Sequence, residues 1–340
     1  MTLSEAIKHE ARGLGFDAVG ISCVAAKTED ATTPLPQFFR TRLLEWLHRG
    51  YHGTMDWMER DPTRRATPDQ VLPGCRSMIS VGTNYYTAHH ANERPGYGRI
   101  ARYAWGEDYH EVLRQRLEQL EGRIRTLAPG AGTRWYVDTG PVMEKAWAQQ
   151  AGLGWVGKHS NLVSPRYGSW LLLGELLTTL DLEPDEPGTD LCGSCMLCLR
   201  ACPTGAITEP YVVDANKCIS YLTIELHRPE DKVPKELALK LGNRIFGCDD
   251  CLDVCPYNTN ASPTAERAFQ PSLLTLAPQL TMLCEMNERQ FNTTFRRSPI
   301  RRAKHHGLLR NVRIALQNLT GLSCSRLPDS ASTGSFRNCS

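Results

Sequence analysis

The sequence predicts an α+β protein made of three successive regions and a short tail. Strand-like and helix-like segments alternate up to about residue 182, a cysteine-rich region occupies residues 190–260, and residues 261–320 have a helical pattern. At 340 residues the chain is more than twice as long as a typical single domain, so two or three domains are expected. Residues 321–340 are rich in serine and predict a disordered tail.

The first region, residues 1–182, shows patterns typical of helices and strands. From residue 4 to about residue 65 the apolar residues follow helical spacing, apart from a short apolar stretch at residues 18–21. Further on, strands are predicted at 77–86, 133–138 and 169–177, and helices at 108–127 and at 142–151, with Pro141 near the first turn of the latter. The alternation fits an α/β or an α+β domain, and we describe the region as α/β. Residues 182–189, acidic and with two prolines, predict a linker.

The composition excludes several classes of protein. Hydrophobic residues make up 41% and charged residues 22%, close to the globular average, and no apolar run approaches the ~20 residues that a membrane span needs. The N-terminus lacks the pattern of a signal peptide, so a cytoplasmic protein is expected, with no membrane contact. Neither G-x-G-x-x-G nor G-x4-G-K-[ST] occurs, which gives no support to nucleotide-dependent reduction.

The cysteine-rich region has a specific spacing. Eight of the 13 cysteines lie between Cys192 and Cys255. The first run, Cys192, Cys195, Cys198 and Cys202 followed by Pro203, fits the C-x2-C-x2-C-x3-C-P pattern of bacterial ferredoxins. Three thiolates of such a run bind one cluster, and the fourth binds the other. The sequence therefore predicts a ferredoxin-like domain with two [4Fe-4S] clusters.

A second run repeats only the end of this pattern. It contains Cys248, Cys251 and Cys255, and Ile245 stands where its first cysteine would be. Crossed ligation gives two sets, with Cys218 as the candidate for the missing ligand: Cys192, Cys195, Cys198 and Cys255 for one cluster, and Cys202, Cys218, Cys248 and Cys251 for the other. The alternatives are structural zinc and free thiols, and C-x2-C pairs also occur in zinc sites. The other cysteines, Cys23, Cys75, Cys284, Cys324 and Cys339, lack such spacing and are interpreted as ordinary thiols.

The C-terminal part of the chain is locally basic. Net charge is only +2 overall, but residues 289–326 hold eight arginines and one lysine with no acidic residue. A solvated helical face is the ordinary meaning of such a run, whereas a long acid-free stretch favours nucleic acid. The basic residues expected to contact phosphates are Arg296, Arg297, Arg301, Arg302, Lys304, Arg310 and Arg313.

Taken together, several segments resemble the epoxyqueuosine reductases of bacterial tRNA modification. The segments that carry the resemblance are both cysteine runs and residues 53–58, 101–110, 137–141, 152–160, 173–176, 218–225 and 242–247. The resemblance implies reduction of epoxyqueuosine to queuosine at the tRNA wobble position, with base-off cobalamin that is reduced through the two clusters. It also implies a cobalamin-binding first domain, a tRNA-binding helical region, a ferredoxin or flavodoxin as electron donor, and a monomer.

The resemblance further implies roles for individual residues. Asp138 matches the proton donor, and this role requires a raised pKa that a desolvated cavity would supply. Asp138 could equally be a turn or cap residue by sequence alone. The positions that match cofactor contacts are Trp57, Arg102, Asp138, Lys158, Ser160, Ser169, Leu222, Arg244, Ile245 and Phe246, and Glu225 joins the predicted tRNA contacts. His110 completes only half of the D-x-H-x-x-G fingerprint of cobalamin proteins, because Leu113 replaces its glycine, and is interpreted as structural.

Two other functions remain open at this point. A cobalamin-dependent reductive dehalogenase would keep the clusters and the corrin but would need no basic region, and an electron-transfer iron-sulfur protein would need neither the corrin nor Asp138. The sequence beyond Thr320 departs from the family, which generally continues with a helical repeat region. We therefore expect the last helices, and some of the tRNA contacts, to be incomplete.

Overall fold

A four-stranded antiparallel sheet organises the N-terminal half of the protein. The computed structural model describes residues 1–28, 32–259 and 261–320, so the predicted tail at 321–340, with Cys324 and Cys339, lies outside the described residues. The strands are β1 (Ala18–Cys23), β2 (Ser77–Asn84), β3 (Arg99–Ile100), β4 (Thr133–Tyr136), β5 (Trp155–Val156), β6 (Leu162–Val163), β7 (Leu171–Thr178), β8 (Ile207–Glu209), β9 (Val212–Val213) and β10 (Arg244–Phe246). The main sheet has the order β1-β2-β7-β4, with every neighbouring pair antiparallel. The α+β class predicted for the whole chain therefore also describes this domain, in place of the α/β description.

Helices cover both faces of this sheet. The helices are α1 (Leu3–Gly13), α2 (Leu35–His48), α3 (Pro62–Ala66), α4 (Pro68–Val71), α5 (Tyr109–Leu127), α6 (Glu144–Gln150), α7 (Leu197–Ala201), α8 (Ile219–Ile224), α9 (Lys235–Lys240), α10 (Asp250–Asp253), α11 (Leu273–Leu276), α12 (Leu280–Cys284), α13 (Glu288–Thr294) and α14 (Lys304–Thr320). One core contains residues of α1 and α5 with Ile79 of β2, and another contains residues of α2 and α6 with the adjacent Met78. Successive side chains of a strand point to opposite faces of the sheet, and both faces are covered here. For this reason β2 is buried at all eight positions.

The predicted strands and the long helix are present, with adjusted ends. Leu113, Leu117, Leu120 and Ile124 are fully buried on α5, whose N-cap is Asp108, while Leu127 at its end is exposed. The strand predicted at 133–138 ends at Tyr136, because Asp138 has a left-handed backbone with φ 56°. The helix predicted from residue 142 begins at Glu144, so Pro141 precedes the helix and does not occupy its first turn.

The C-terminal helices share a core with the middle of the chain. Strand β3 pairs in parallel with β10, and Ile100, Ile245 and Phe246 pack against residues of α12, α13 and α14. The acidic segment 182–189 is also fixed in place: Asp185 accepts hydrogen bonds from Lys8 at 2.5 Å and from the Ile21 amide at 2.8 Å. The predicted regions therefore pack together closely, while their exact boundaries stay a prediction. Among the described residues, no helix is both long and apolar enough to span a bilayer.

Candidate active site and cysteine centres

The fold brings together the four cysteines predicted for the first cluster. Cys192 and Cys195 lie on the loop before α7, and Cys198 lies within that helix. The charges of Cys192 and Cys195 act on Cys255, although burial is the largest cause of the raised pKa of its thiol. All four line one largely apolar cavity with Trp155 and Tyr257 among its other residues. We call these four residues the first cysteine group.

The remaining four cysteines of the region form a second cysteine group: Cys202, Cys218, Cys248 and Cys251. Burial raises the pKa of Cys251 well above its ordinary value, and the charges of the other three act on it in the same direction. Burial likewise raises the pKa of Cys248 to about 12. Cys218 thus stands where the sequence places the missing fourth ligand. Among the residues that the structure describes, no three His, Cys, Asp or Glu side chains converge as closely as the ligands of one metal ion.

Asp138 lies in a constrained loop between β4 and α6. Its amide donates a 2.6 Å hydrogen bond to Glu144 Oε1, and Arg65 donates to the Gly140 carbonyl at 3.2 Å. A non-glycine residue in the left-handed region costs of order 1–3 kcal/mol and persists only where its surroundings hold it. The contacts with Glu144 and Arg65 provide such support. They fix the carboxylate at one end of the loop.

His110 is the side-chain partner of Asp138. Its Nδ1 lies 2.7 Å from Asp108 Oδ1 and its Nε2 lies 3.3 Å from Asp138 Oδ2. Burial lowers the pKa of His110, but the two carboxylates outweigh it and raise the value to about 9. His110 is therefore an imidazolium at neutral pH, held between two carboxylates. The structure gives this residue a charged contact with the candidate proton donor, which a merely structural interpretation does not include.

The expectation of a raised pKa at Asp138 is wrong for this structure. Burial pushes the pKa of Asp138 up, but the hydrogen bond and charge of His110, with the charge of Lys145, push it further down, so the net shift is downward. The carboxyl with a raised pKa next to this loop is that of Glu144, the first residue of α6, and burial raises this pKa to about 8. The sequence did not predict these pKa shifts, because His110 is far from Asp138 along the chain.

Lys145 lies near both Asp138 and the second cysteine group. The Asp138 side chain is 61% exposed, yet desolvation by surrounding protein is the largest influence on its pKa. Lys145 is also exposed, and it is close enough to Asp138, Cys218 and Cys251 for their charges to raise its pKa against the larger lowering by burial. We call this neighbourhood of Lys145, with Asp138, Cys218 and Cys251, the recess.

Aromatic rings form part of the wall of this recess. His110 stacks on Tyr109 with ring centroids 4.1 Å apart, and Tyr103 contacts both Tyr109 and Phe246 at 6.1 Å. The charge of Asp138 acts on Tyr103, whose pKa is raised chiefly by burial. Four residues near the recess were not predicted from the sequence as site residues: Tyr103, Tyr109, Glu144 and Lys145. Tyr103 and Tyr109 do fall within segment 101–110, one of the segments that carry the family resemblance.

The residues predicted to contact the cofactor occupy different environments. Leu222, Ile245 and Phe246 are buried in hydrophobic cores, and Ser169 is buried with its amide bound to Asn258. The two arginines are engaged within the protein. Arg102 donates to the carbonyls of Thr87 and His89, and Arg244 forms a two-pronged ion pair with Asp250.

Three further predicted contacts lie nearer to solvent or to the first cysteine group. Trp57 is 39% exposed, with the Arg65 guanidinium 5.1 Å from its ring. Ser160 has φ 61° and donates to the Tyr211 carbonyl. Lys158 contacts the loop of the first cysteine group. Their contact with cofactor stays a prediction.

The predicted tRNA contacts also separate into groups. Arg302 forms a two-pronged ion pair with Glu225 at 2.7 and 3.1 Å, and the charge of Asp138 reaches it, so this pair lies near the recess. Arg310 is directed inward, donating to the carbonyls of Leu222 and Leu226. Arg297 pairs with Glu107 at 2.5 Å. The other predicted contacts are exposed: Arg296, Arg301, Lys304 and Arg313.

Comparison with known proteins assigns the chain to a family. Residues 65–139 match the family described as Epoxyqueuosine reductase QueG, DUF1730, and residues 191–258 match the 4Fe-4S double cluster binding domain. The epoxyqueuosine reductase of Escherichia coli (strain K12) is 43% identical over 320 residues, which cover 93% of this chain and 81% of the relative. That of Synechocystis sp. is 47% identical over 277 residues, which cover 81% and 94%.

The chain belongs to the epoxyqueuosine reductase family. A crystal structure of an epoxyqueuosine reductase with an epoxyqueuosine-modified tRNA-Tyr stem loop matches it with a TM-score of 0.84 and 31% identity, covering 93% of this chain and 81% of that chain. The epoxyqueuosine reductase of Bacillus subtilis, in a structure whose catalytic aspartate loop is swung out of the active site, matches with a TM-score of 0.83 and 30% identity over 93% and 82%. The predicted family, mixed helix and sheet fold, reductase activity and [4Fe-4S] clusters are confirmed. Neither alternative function is supported.

Proposed function

We propose that this epoxyqueuosine reductase performs its chemistry in the recess between Asp138 and the second cysteine group, with cobalamin bound there. The observation that carries the proposal is that the charges of Asp138, Cys218 and Cys251 all act on Lys145. In this proposal a donor of protons and a source of electrons lie close to the same lysine. Epoxide reduction to an alkene consumes two electrons and two protons and releases water, so both must reach the same bond.

The side chains near the recess suit a large, partly polar cofactor. Lys145, whose Nζ donates to the Ser160 carbonyl and to Asn161 Oδ1, offers an ammonium, and Tyr103 offers an aromatic ring. These residues, with the predicted contacts Trp57 and Ser160, would hold cobalamin. When bound, cobalamin would supply the low-potential electrons for epoxide reduction. The chain's own residues orient the substrate, exclude water and deliver protons.

The His110–Asp138 pair supplies the first proton. At neutral pH the proton resides on His110, 3.3 Å from Asp138 Oδ2. As negative charge develops on the epoxide oxygen, the proton of His110 moves to Asp138 and Asp138 passes a proton to that oxygen, which leaves His110 neutral. This arrangement meets the need for an acid near pH 7 without a raised pKa at Asp138 itself.

The tRNA binds across a basic face next to the recess. This basic face consists of the exposed basic residues that are predicted to contact phosphates. The exposed residues Arg301 and Lys304 contact phosphates, and Arg302 exchanges its contact with Glu225 for the backbone of the anticodon loop. The structure of a relative with an epoxyqueuosine-modified stem loop supports this substrate class. A reduced ferredoxin or flavodoxin donates electrons to a cytoplasmic monomer.

The test replaces Asp138 by Asn and measures queuosine formation in tRNA by mass spectrometry. Asp138→Asn keeps the size of the side chain but cannot transfer a proton, so turnover falls by ~10²- to 10⁴-fold. Iron content, cobalamin binding and tRNA affinity are expected to stay unchanged. Asp181→Asn, at an exposed surface ion pair with Arg76, is the control and keeps full turnover. Near-normal turnover in Asp138→Asn would contradict the proposal.

A further inference from the structure

Lys158 is a buried ammonium beside the first cysteine group. The residue is only 8% exposed, and its Nζ donates to the Gly193 carbonyl at 2.5 Å and to the Cys195 carbonyl at 3.1 Å. It also lies 3.8 Å from Met196 Sδ. Each of these partners belongs to the loop that carries the first three cysteines. The side chain is therefore fixed against this loop.

The hydrogen-bond partners of Lys158 do not neutralise its charge, because carbonyl oxygens carry no full negative charge. The carboxylate whose pKa the charge of Lys158 lowers is Asp190, which accepts hydrogen bonds from the Tyr211 hydroxyl and the Cys192 amide. A [4Fe-4S] cluster with four thiolates carries net negative charge. Such a cluster on the first cysteine group would add a counter-charge to Lys158, and the ammonium would in turn stabilise the reduced, more negative form.

Trp155 makes a second contact with the first cysteine group. Its ring is 1% exposed, and its indole Nε1 donates to Cys192 Sγ at 3.3 Å. The ring is held at 4.7 Å from Tyr257 in an edge-to-face arrangement. Hydrogen bonds to ligand sulfurs and nearby charge are among the factors that set the reduction potential of iron-sulfur clusters. Both factors act on this group from one short segment, residues 155–158.

We propose that Lys158 and Trp155 raise the reduction potential of the first cluster by holding an ammonium and an indole N–H against the Cys192–Cys198 loop. This role differs from the predicted contact of Lys158 with cobalamin, which stays a prediction. A raised potential makes the first cluster easier to reduce than it would be without these two side chains. The proposal concerns the clusters alone, so it can fail or succeed independently of the role of Asp138.

The experiment is an anaerobic redox titration of the full chain, reconstituted with iron and sulfide, followed by electron paramagnetic resonance without tRNA. Lys158→Met keeps the length of the side chain but removes the charge, and is expected to shift the potential of one cluster to a more negative value. Lys158→Arg keeps the charge and is expected to restore most of the potential. Trp155→Phe removes the N–H donor and is expected to shift the same cluster in the same direction by a smaller amount.

The control is Lys217→Met, which removes an exposed charge next to Cys218 in sequence and is expected to leave both potentials unchanged. Iron content of each variant establishes that both clusters are present. If Lys158→Met with full iron leaves both potentials unchanged, or shifts both equally, the proposal is wrong. If Lys158→Met cannot assemble the first cluster, Trp155→Phe decides: an unchanged potential in that variant overturns the proposal.

Discussion

The two cysteine groups share a ligand pattern but differ in what surrounds them. The first group follows an exposed loop, where Leu191 and Leu197 are 49% and 43% exposed, and it has Lys158 beside it. The second group lies among buried segments, next to Phe246 and Ile219, and borders the recess of Asp138. The spacing of the cysteines determines where clusters form, and the surroundings determine what each cluster does. We infer that electrons enter at the first group and leave at the second.

Removing one ligand from each group should separate these roles most strongly. Cys218→Ala is expected to lose the second cluster, leaving about four of eight irons, and to abolish turnover with any reductant, because electrons no longer reach the recess. Cys195→Ala is expected to lose the first cluster and turnover with a protein donor, but to regain part of its turnover with a small chemical reductant. Iron assays and queuosine analysis measure both. Full iron content in Cys218→Ala would remove this residue from the ligands.

The protonation of His110 gives a pH test on the recess side. Its pKa of about 9 lies above the ordinary value of 6.5, so the imidazolium is present below pH 9 and is lost as the pH rises through 9. Turnover of the unmodified enzyme should therefore fall above about pH 9. His110→Gln is expected to lower turnover by ~10²-fold and to remove that alkaline fall. A profile with the same alkaline fall in His110→Gln would assign it to another group.

The basic face should respond to charge reversal without any effect on either cysteine group. Arg301→Glu is expected to weaken tRNA binding and to flatten the dependence of log affinity on log salt by about 0.7–0.9 for each phosphate that is no longer neutralised. Arg76→Glu, at a surface residue that pairs with Asp181, is the control and should leave the slope unchanged. The test is tRNA binding measured at several salt concentrations. An unchanged slope in Arg301→Glu would support the alternative interpretation, in which this face is a solvated helical surface.

The smallest expected effect lies in the sheet, away from both groups. Glu175 is fully buried, and its carboxyl accepts a 2.7 Å hydrogen bond from the Ser80 hydroxyl. Burial raises the pKa of Glu175 well above the ordinary value. The folded protein therefore binds a proton that the unfolded chain releases above about pH 4.5, so this residue makes the fold less stable as the pH rises. Glu175→Gln should raise the melting temperature at pH 8 more than at pH 5, by about 2–4 °C per kcal/mol. Equal melting temperatures of the two proteins at pH 8 would contradict this.

The sequence predicted the local features of this molecule better than the distant ones. The predicted partition of the cysteines follows from spacing within one short region. The structure places Cys218 close enough to Cys251 for its charge to act there, and its role as a ligand stays a prediction. The protonation of the Asp138 loop depends on His110, which α5 delivers from another part of the chain, so no local pattern indicates it. Lys158 was assigned by resemblance to the cofactor, and only the fold places its ammonium on the loop around Cys195.

The predicted crossed arrangement of the cysteines also bears on how this protein is made. The prediction assigns Cys255 to the first cluster with the cysteines near residue 192, and Cys251 to the second cluster with Cys202. A ribosome that has synthesised only the first cysteine run therefore presents an incomplete set of ligands for either cluster. With this assignment, iron delivery can complete the second centre only after residue 251 has emerged and the first only after residue 255, so maturation of both clusters depends on synthesis of the second cysteine run.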